Sequence, residues 1–321
     1  MPEHYPTYIV DVFTKKRFSG NSAVVCLIPQ PKRDEEYLKI AAEFNVSETA
    51  FPIPIGTSDF KKCRKFFLRW FTPTAEVPLC SYATLATSHV LFNEIGNANS
   101  ELKFHTLTGV FVVKKDDAGN VELNLPEYEL TSIKFHHIEN RLRDIFSEFK
   151  APHYLFDLVK CIVPTDMAVD ACVYAAKPRV LVVVVDPLTT KFQFEAVQID
   201  ANKILQINDN GFLQGIALTL RPKNALLQGF SDSYDEPFDY ACRYFAPWVG
   251  MDEDPATGHA QCATGPFWAK VTGKNELYAL HAYPSRGRLF RLRFQDGRVM
   301  LNGPSVTVFR GEITLGEPTF Y

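Results

Sequence analysis

The stretch Phe245-Ala-Pro-Trp-Val-Gly-Met-Asp-Glu-Asp-Pro-Ala-Thr-Gly-His-Ala260 decides how this chain is read. Three consecutive acids, Asp252 to Asp254, run into Pro255. From Gly258 to Val271 the chain has helical length, and Lys270 is its single Lys, Arg, Asp or Glu. A helix without a polar side is buried all round. An earlier stretch rhymes with this one: Phe71-Thr-Pro-Thr-Ala-Glu-Val-Pro-Leu-Cys-Ser-Tyr-Ala83. It opens a second segment without a charged face, Ser81–Phe92, which Gly96 ends. Aligning Pro78 with Pro255 pairs Cys80 with Thr257, Ser81 with Gly258 and Tyr82 with His259, the second copy being three residues longer between Phe and Pro. Matching strand–turn–helix context in both places points to an internal duplication with one buried helix in each half.

The first turn of a buried helix carries open backbone N–H groups and a partial positive charge. Two such starts facing one cleft make an anion site, and Ser81 and Gly258 permit close backbone approach. In that reading Asp254 supplies a base or a partner for a cationic group, and the small residues after it leave room for a ligand carboxylate. The plain reading makes Gly258 a packing residue and Asp254 a cap, and for an isolated D-P-x-T-G the plain reading wins. A third element is Asn45-Val-Ser-Glu-Thr-Ala-Phe51. Glu48 there is either a partly buried acid with a raised pKa, suited to general acid/base work, or an exposed residue beside a Ser47 cap. The residues alone leave both open.

Outward from these segments, Tyr8–Phe13, Ala23–Ile28 and Phe66–Phe71 read as strands, with a turn at Ser19-Gly20-Asn21. Asp34–Phe44 reads as a helix capped by Asp34, with Tyr37, Leu38, Ala41 and Ala42 on its inner face. Glu101–His105, Gly109–Lys114, Val121–Leu125, Arg179–Val185 and Gly215–Leu220 are further strands. Ile138–Phe149 and Ile199–Ile207 read as helices. Gln295-Asp-Gly297 marks a hairpin between Leu289–Phe294 and Arg298–Leu301, and Val306–Phe309 and Gly311–Leu315 finish the chain as two strands.

The totals bound the function. The chain has 321 residues, 46% of them hydrophobic, and a formal net charge of -3, which suggests about two domains and no nucleic-acid footprint. Its longest apolar run, Val180–Val185, is too short to cross a bilayer, and the N-terminus shows no secretory pattern, so a cytoplasmic protein without a membrane partner is expected. The seven cysteines are scattered and never in C-x-x-C spacing, which fits reduced thiols rather than a zinc ribbon. Cys63, Cys161 and Cys172 read as small core residues, His89 as a satisfied core histidine and His136-His137 as a surface pair. No metal set emerges.

Phe18-Ser-Gly-Asn-Ser-Ala-Val24, Asn45–Phe51, Arg69-Trp-Phe-Thr-Pro73 through Glu76-Val-Pro-Leu-Cys80, and Glu253-Asp-Pro-Ala-Thr-Gly258 together resemble the PhzF-like, phenazine biosynthesis-like family, in that family's order and across essentially the whole chain. The resemblance implies an α+β, diaminopimelate epimerase-like fold: two pseudo-symmetric domains, each a curved, mostly antiparallel sheet round a central buried helix. Residues 1–128 with about 304–321 would form one domain and 129–303 the other, with the active-site cleft between them. It implies an isomerase that needs no cofactor or metal, and a homodimer. Glu48 would be the acid/base of a proton shift on a small carboxylate-bearing metabolite, and Asp254 would assist. Asn21, Cys80, Ser81, Tyr82, Thr257, Gly258 and His259 would line the substrate site.

Three departures qualify this. The family's Gly-His at the first helix start is Ser81-Tyr82 here. The Ser that usually follows the second Thr-Gly is His259, so a histidine missing from one half reappears at the paired position of the other. The proline expected after Gly20-Asn21 is Ser22. The related epimerases use two facing thiols, whereas the matching positions here are Cys80 and Thr257, which disfavours two-base racemisation and leaves Cys80 as a lining residue or a lone nucleophile. Loss of the family histidine keeps a second function open, a ligand-binding or scaffold homologue without chemistry. Ser285-Arg-Gly-Arg288 is either a basic edge for an anionic substrate or a solvated hairpin.

Overall fold

An uncharged helix has to be enclosed, and each half of this chain encloses one with sheet. The computed structural model of the protein describes residues 2–78, 80–115, 120–134, 145–207, 211–284 and 287–316. The chain divides into two units, Met1–Asn124 with Leu301–Tyr321, and Leu125–Met300.

In the first unit β1 (Glu3–Val12) is antiparallel to β2 (Asn21–Cys26). Helix α1 (Asp34–Phe44) returns the chain to β3 (Thr49–Pro54), parallel to β2. β4 (Lys65–Phe71) is antiparallel to β3, and the short β5 (Glu76–Val77) folds back on the end of β4. The enclosed helix α2 (Ser81–His89) follows and continues into a π-helical turn, Val90–Glu94. β6 (Glu101–Thr106) lies parallel to the start of β4, and β7 (Gly109–Lys115) and β8 (Val121–Pro126) add antiparallel neighbours.

The first elements wholly within the second unit are β9 (Thr131–Lys134), β10 (Glu148–Lys150), α3 (Tyr154–Ile162) and β11 (Val169–Ala175). From there the order of the first unit repeats. β12 (Val180–Val185) is antiparallel to β11, and α4 (Lys191–Ala196) and α5 (Ala201–Gln206) lead to β13 (Gly215–Leu220), parallel to β12. β14 (Tyr240–Ala246) is antiparallel to β13, and β15 (Met251–Asp254) folds back on its end. The enclosed helix α6 (Gly258–Thr272) follows, then β16 (Glu276–His281) parallel to β14, β17 (Arg288–Gln295) antiparallel to β16, and β18 (Arg298–Asn302). β19 (Ser305–Leu315) belongs to the first unit and pairs antiparallel with β1. Two pseudo-symmetric domains, each a mostly antiparallel sheet round a central helix, are therefore present.

The two enclosed helices solve one problem in the same way. α2 packs against β1, β2, β3 and β19, and α6 against β12, β13, β14, β16 and β17. Their hydroxyls would be stranded in those surroundings, so they bond back to the preceding turn. Thr84, Thr87 and Ser88 donate to the carbonyls of Cys80, Ala83 and Thr84, each at 2.7 Å, and Thr264 donates to that of Ala260 at 3.0 Å.

Local expectations met mixed outcomes. α1 has the expected span, but its cap is Arg33, whose amide is accepted by Glu36, and Asp34 is the first helical residue. Ile40 joins Tyr37 and Ala41 in the core while Ala42 is exposed, because the inner face runs i, i+3, i+4 from Tyr37. The final two strands are one, since Arg310 and Gly311 pair with Tyr8 and Thr7 without interruption. Of the helix expected over Ile138–Phe149, residues 138–144 lie outside the described residues, as does His136-His137, and Glu148–Lys150 is a strand parallel to β9.

Gly20 is one place where glycine is required. Its φ is +67° and a Cβ there would stand 2.2 Å from the Val12 carbonyl oxygen. Gly56 has φ +82° with nothing within 4 Å of its Cβ position. Gly56→Ala is expected to cost about 1 kcal/mol, the backbone cost alone, and Gly20→Ala clearly more than about 2 kcal/mol, because overlap adds to it. Urea unfolding of the two variants checks this ordering.

Candidate functional site

In the first unit the functional candidates gather at strand and helix starts. β2 and β3 run parallel, and the Val24 amide donates to the Glu48 carbonyl at 3.0 Å, placing Glu48 immediately before β3. Glu48 is buried, at 9% exposure, while Ser47 is exposed. Glu48 is therefore not the exposed residue that the alternative with a Ser47 cap would make it. Asn21, at the first position of β2, is buried as well. The turn before it is organised by Asp11, whose carboxylate accepts the Phe18 amide at 2.7 Å and the Ser22 hydroxyl at 2.5 Å. Ser22, where a proline was expected, thus gains a partner. Cys80 is the N-cap of α2 in extended conformation, without a side-chain capping bond, and is buried; Ser81 and Tyr82 are partly exposed.

In the second unit the Asp254 segment is fixed from several sides. The Asp254 carboxylate accepts the Ala256 amide at 3.0 Å, so it caps its own turn, and the N-cap of α6 is Thr257, whose Oγ1 accepts the His259 amide at 3.1 Å. The Asp254 carbonyl is 2.9 Å from His281 Nε2. A carbonyl only accepts, so Nε2 carries the proton and Nδ1 is the acceptor, facing Cys242 Sγ at 3.7 Å. Gln261 Nε2 donates to that sulfur at 3.1 Å, and Gln261 Oε1 accepts from Tyr240 Oη at 2.5 Å. A one-way chain of donors thus runs from Tyr240 through Gln261, Cys242 and His281 to the Asp254 backbone. It requires every member to be uncharged, and burial enforces this. Tyr240 is raised well above its usual pKa, Cys242 is pushed up to about 12, and His281 is lowered to about 3.

Asp254 itself keeps part of its surface exposed, but the protein packed round its carboxyl raises its pKa; the Ala256 amide and the Arg288 charge oppose that rise and Glu253 adds to it. Arg288 is buried, opposite His281 in the β16–β17 register, with its guanidinium 5.1 Å from the Tyr283 ring centre. The solvated-hairpin alternative therefore does not hold for Arg288, while Ser285 and Arg286 lie outside the described residues. Glu253 is held by Arg243, which reaches it with two nitrogens at 2.7 and 2.8 Å.

Pro266 explains how one more aromatic residue arrives. It has no N–H, so the carbonyl four residues earlier, that of Cys262, loses its helical donor. The Tyr128 amide takes that carbonyl at 3.1 Å. Tyr128 Oη then lies 3.3 Å from His259 Nδ1, with the two rings edge to face at 5.4 Å. Burial lowers the His259 pKa and raises that of Tyr128 to about 12, so both are neutral near neutral pH.

Tyr128, Arg243 and His281 were not singled out from the sequence. Arg243 left a signal there: it stands two residues before Phe245 as Arg69 stands two before Phe71, and Glu253 and Glu76 each stand two before the paired prolines. Tyr128 and His281 left none, since their bonds join segments far apart along the chain. His89 is satisfied as expected, within 3.1 Å of both Thr307 Oγ1 and Asn93 Nδ2. Among the described residues no group of three or more His, Cys, Asp or Glu side chains stands ready to hold a metal, and no helix is long and apolar enough to cross a membrane.

Residues 10–311 match the model of the family described as phenazine biosynthesis-like protein, PhzC-PhzF. A human phenazine biosynthesis-like domain-containing protein is 36% identical over 310 residues, covering 96% of this chain and 99% of the relative. A protein of Halalkalibacterium halodurans named an uncharacterized isomerase is 32% identical, covering 97% of this chain and 98% of its own. Among solved structures, a PhzF family protein of Enterococcus faecalis superposes with a TM-score of 0.75 at 25% identity, covering 98% of this chain and 100% of that one.

His281 offers a measurable consequence. Its folded pKa of about 3 lies below the ordinary histidine value of about 6.5, so between those limits the unfolded chain binds the extra proton. The stability it contributes is present above about pH 6.5 and is lost as pH falls toward 3. The raised pKa of Asp254 acts in the opposite sense, but it is common to wild type and variant. In His281→Gln the acid-side loss of unfolding free energy is expected to be shallower by up to about 1.4 kcal/mol per pH unit. Urea unfolding at about pH 5 and about pH 7 reads this slope; an unchanged slope would show that His281 is not held neutral.

Proposed function

The chain belongs to the phenazine biosynthesis-like family, and on that premise we propose that it is a cofactor-independent isomerase that moves a proton on a small carboxylate-bearing metabolite. Glu48 takes the proton from one carbon and returns it to another, so that the carboxyl ends as it began. The burial of Glu48 at the start of β3 carries the reading, because a glutamate kept from water there is placed for acid/base work rather than for solvation. Asp254, with its pKa raised by burial, donates to or accepts from the polar groups of the substrate. The first-turn amides of α2 or of α6 receive the substrate's carboxylate, which is what helix starts offer to anions. Relatives from Halalkalibacterium halodurans and Pseudomonas aeruginosa that are named uncharacterized isomerases support the reaction class.

A second reading has one observation in its favour. Tyr82 stands where the family has histidine, and a phenol does not replace an imidazole as a base near neutral pH, so a ligand-binding homologue without chemistry is the alternative. His259 is the residue that would replace that histidine, and its ring is already engaged by Tyr128.

Solvent-deuterium incorporation into a panel of small amino and hydroxy acids separates the readings. The enzyme is expected to label at least one acid. Glu48→Gln is expected to lower the rate by a factor of about 100 or more, and Asp254→Asn by less. A tightly bound acid that acquires no deuterium would favour the binding protein. Loss of exchange on alkylating Cys80, with exchange intact in Glu48→Gln, would instead point to thiol chemistry.

A further inference from the structure

The duplication extends to a feature that substrate chemistry does not explain. Arg69 Nε and Nη2 donate to the two carboxylate oxygens of Glu76 at 2.7 and 2.6 Å. Arg243 uses the same two nitrogens on Glu253, at 2.7 and 2.8 Å. In each pair the third nitrogen ties in the first helix between the parallel strands of that unit. Arg69 Nη1 donates to Asp34, the first residue of α1, at 2.8 Å. Arg243 Nη1 donates to the carbonyls of Phe194, Glu195 and Val197 at the end of α4, at 2.9, 3.1 and 2.7 Å. Each guanidinium also lies about 5 Å from the phenylalanine ring two residues on, at 5.0 Å for Phe71 and 5.1 Å for Phe245.

Each glutamate is on the short strand that hands the chain to an enclosed helix. β5 has two residues and β15 four, too few for their backbone bonds alone to fix a register. A forked, two-bond arginine–carboxylate contact fixes distance and angle together, which a single charge pair does not. We propose that Arg69–Glu76 and Arg243–Glu253 are positioning pairs, each locking the chain just ahead of a helix start so that Cys80–Tyr82 and Asp254–Gly258 stand at set places. That these helix starts bind a ligand rests on the isomerase reading; the locking itself does not.

Amide hydrogen exchange by NMR tests the locking without a substrate. In Glu253→Gln the amides of Ala256 and His259, both bonded to side chains of this turn, are expected to exchange ~10-fold faster or more, while β12 and β13 stay as protected as in wild type. In Glu76→Gln the Thr72 and Thr84 amides are expected to respond, with β2 unchanged. Arg243→Lys, which keeps the charge but not the fork, is expected to fall between wild type and Glu253→Gln. Local rates that do not change, or a rise shared by every amide of the unit, would overturn the proposal, because the pairs would then be inert or merely stabilising. Should the nearly buried Arg243 pair prove essential for folding, the part-exposed Arg69–Glu76 pair decides alone. In the deuterium assay Glu253→Gln is expected to lower kcat/KM, because both the Asp254 carboxyl and the start of α6 lose their set places. A wild-type protein that exchanges nothing would end the isomerase reading and leave the amide rates to judge the clamps.

Discussion

A helix with no charged face has to be surrounded, and a surrounded helix has to account for every polar group it carries. That constraint organises both halves of this molecule. Thr84, Thr87, Ser88 and Thr264 return their hydroxyls to the helix backbone. Pro266 releases the Cys262 carbonyl, and the chain answers with the Tyr128 amide. Intrahelical bonds cannot satisfy the first-turn N–H groups, whose field favours an anion. The start of each helix is therefore where backbone donors are left for partners outside the helix, as Thr257 is for the His259 amide.

The duplicated frame also shows how the halves have diverged. The clamps are retained in both. Aligned by the prolines, Asp254 corresponds to Val77, Thr257 to Cys80 and His259 to Tyr82. Aligned by the parallel strands, Glu48 before β3 corresponds to Gln214 before β13. The candidate base is thus present once, in the first unit, and the acid at the turn once, in the second. A single base suits a proton shift within one molecule better than a symmetrical pair of opposed bases, and the unmatched Cys80 fits that division.

The architecture was legible because it is written in pattern. Two uncharged segments of helical length, each behind a Phe–Pro–acid–Pro run, announce two enclosed helices, and α6 spans Gly258–Thr272 where the pattern placed it. α1 was legible in extent but not in its cap, since Asp34 and Arg33 are both polar and backbone geometry chose between them. The burial of Glu48 could not be read, because the residues round it suit a cap as well as a strand start. Arg288 posed the same difficulty. Ser285-Arg-Gly-Arg288 suits a basic edge as well as a solvated hairpin, and the burial of Arg288 opposite His281 shows only in the structure. His281, Tyr128 and Gln261 belong to bonds between distant segments, which have no periodicity to betray them. Arg243 was the recoverable case, because a repeated Arg two residues before a repeated Phe is itself a pattern.

The structure of a complex with a small carboxylic acid that the protein labels or retains measures the central claim most directly. The proposed chemistry requires the acid's carboxylate on the first-turn amides of α2 or α6, with the Glu48 carboxylate about 3–3.5 Å from a carbon that exchanges its hydrogen. An acid bound away from both helix starts, or bound there with Glu48 turned into bulk water, would contradict it.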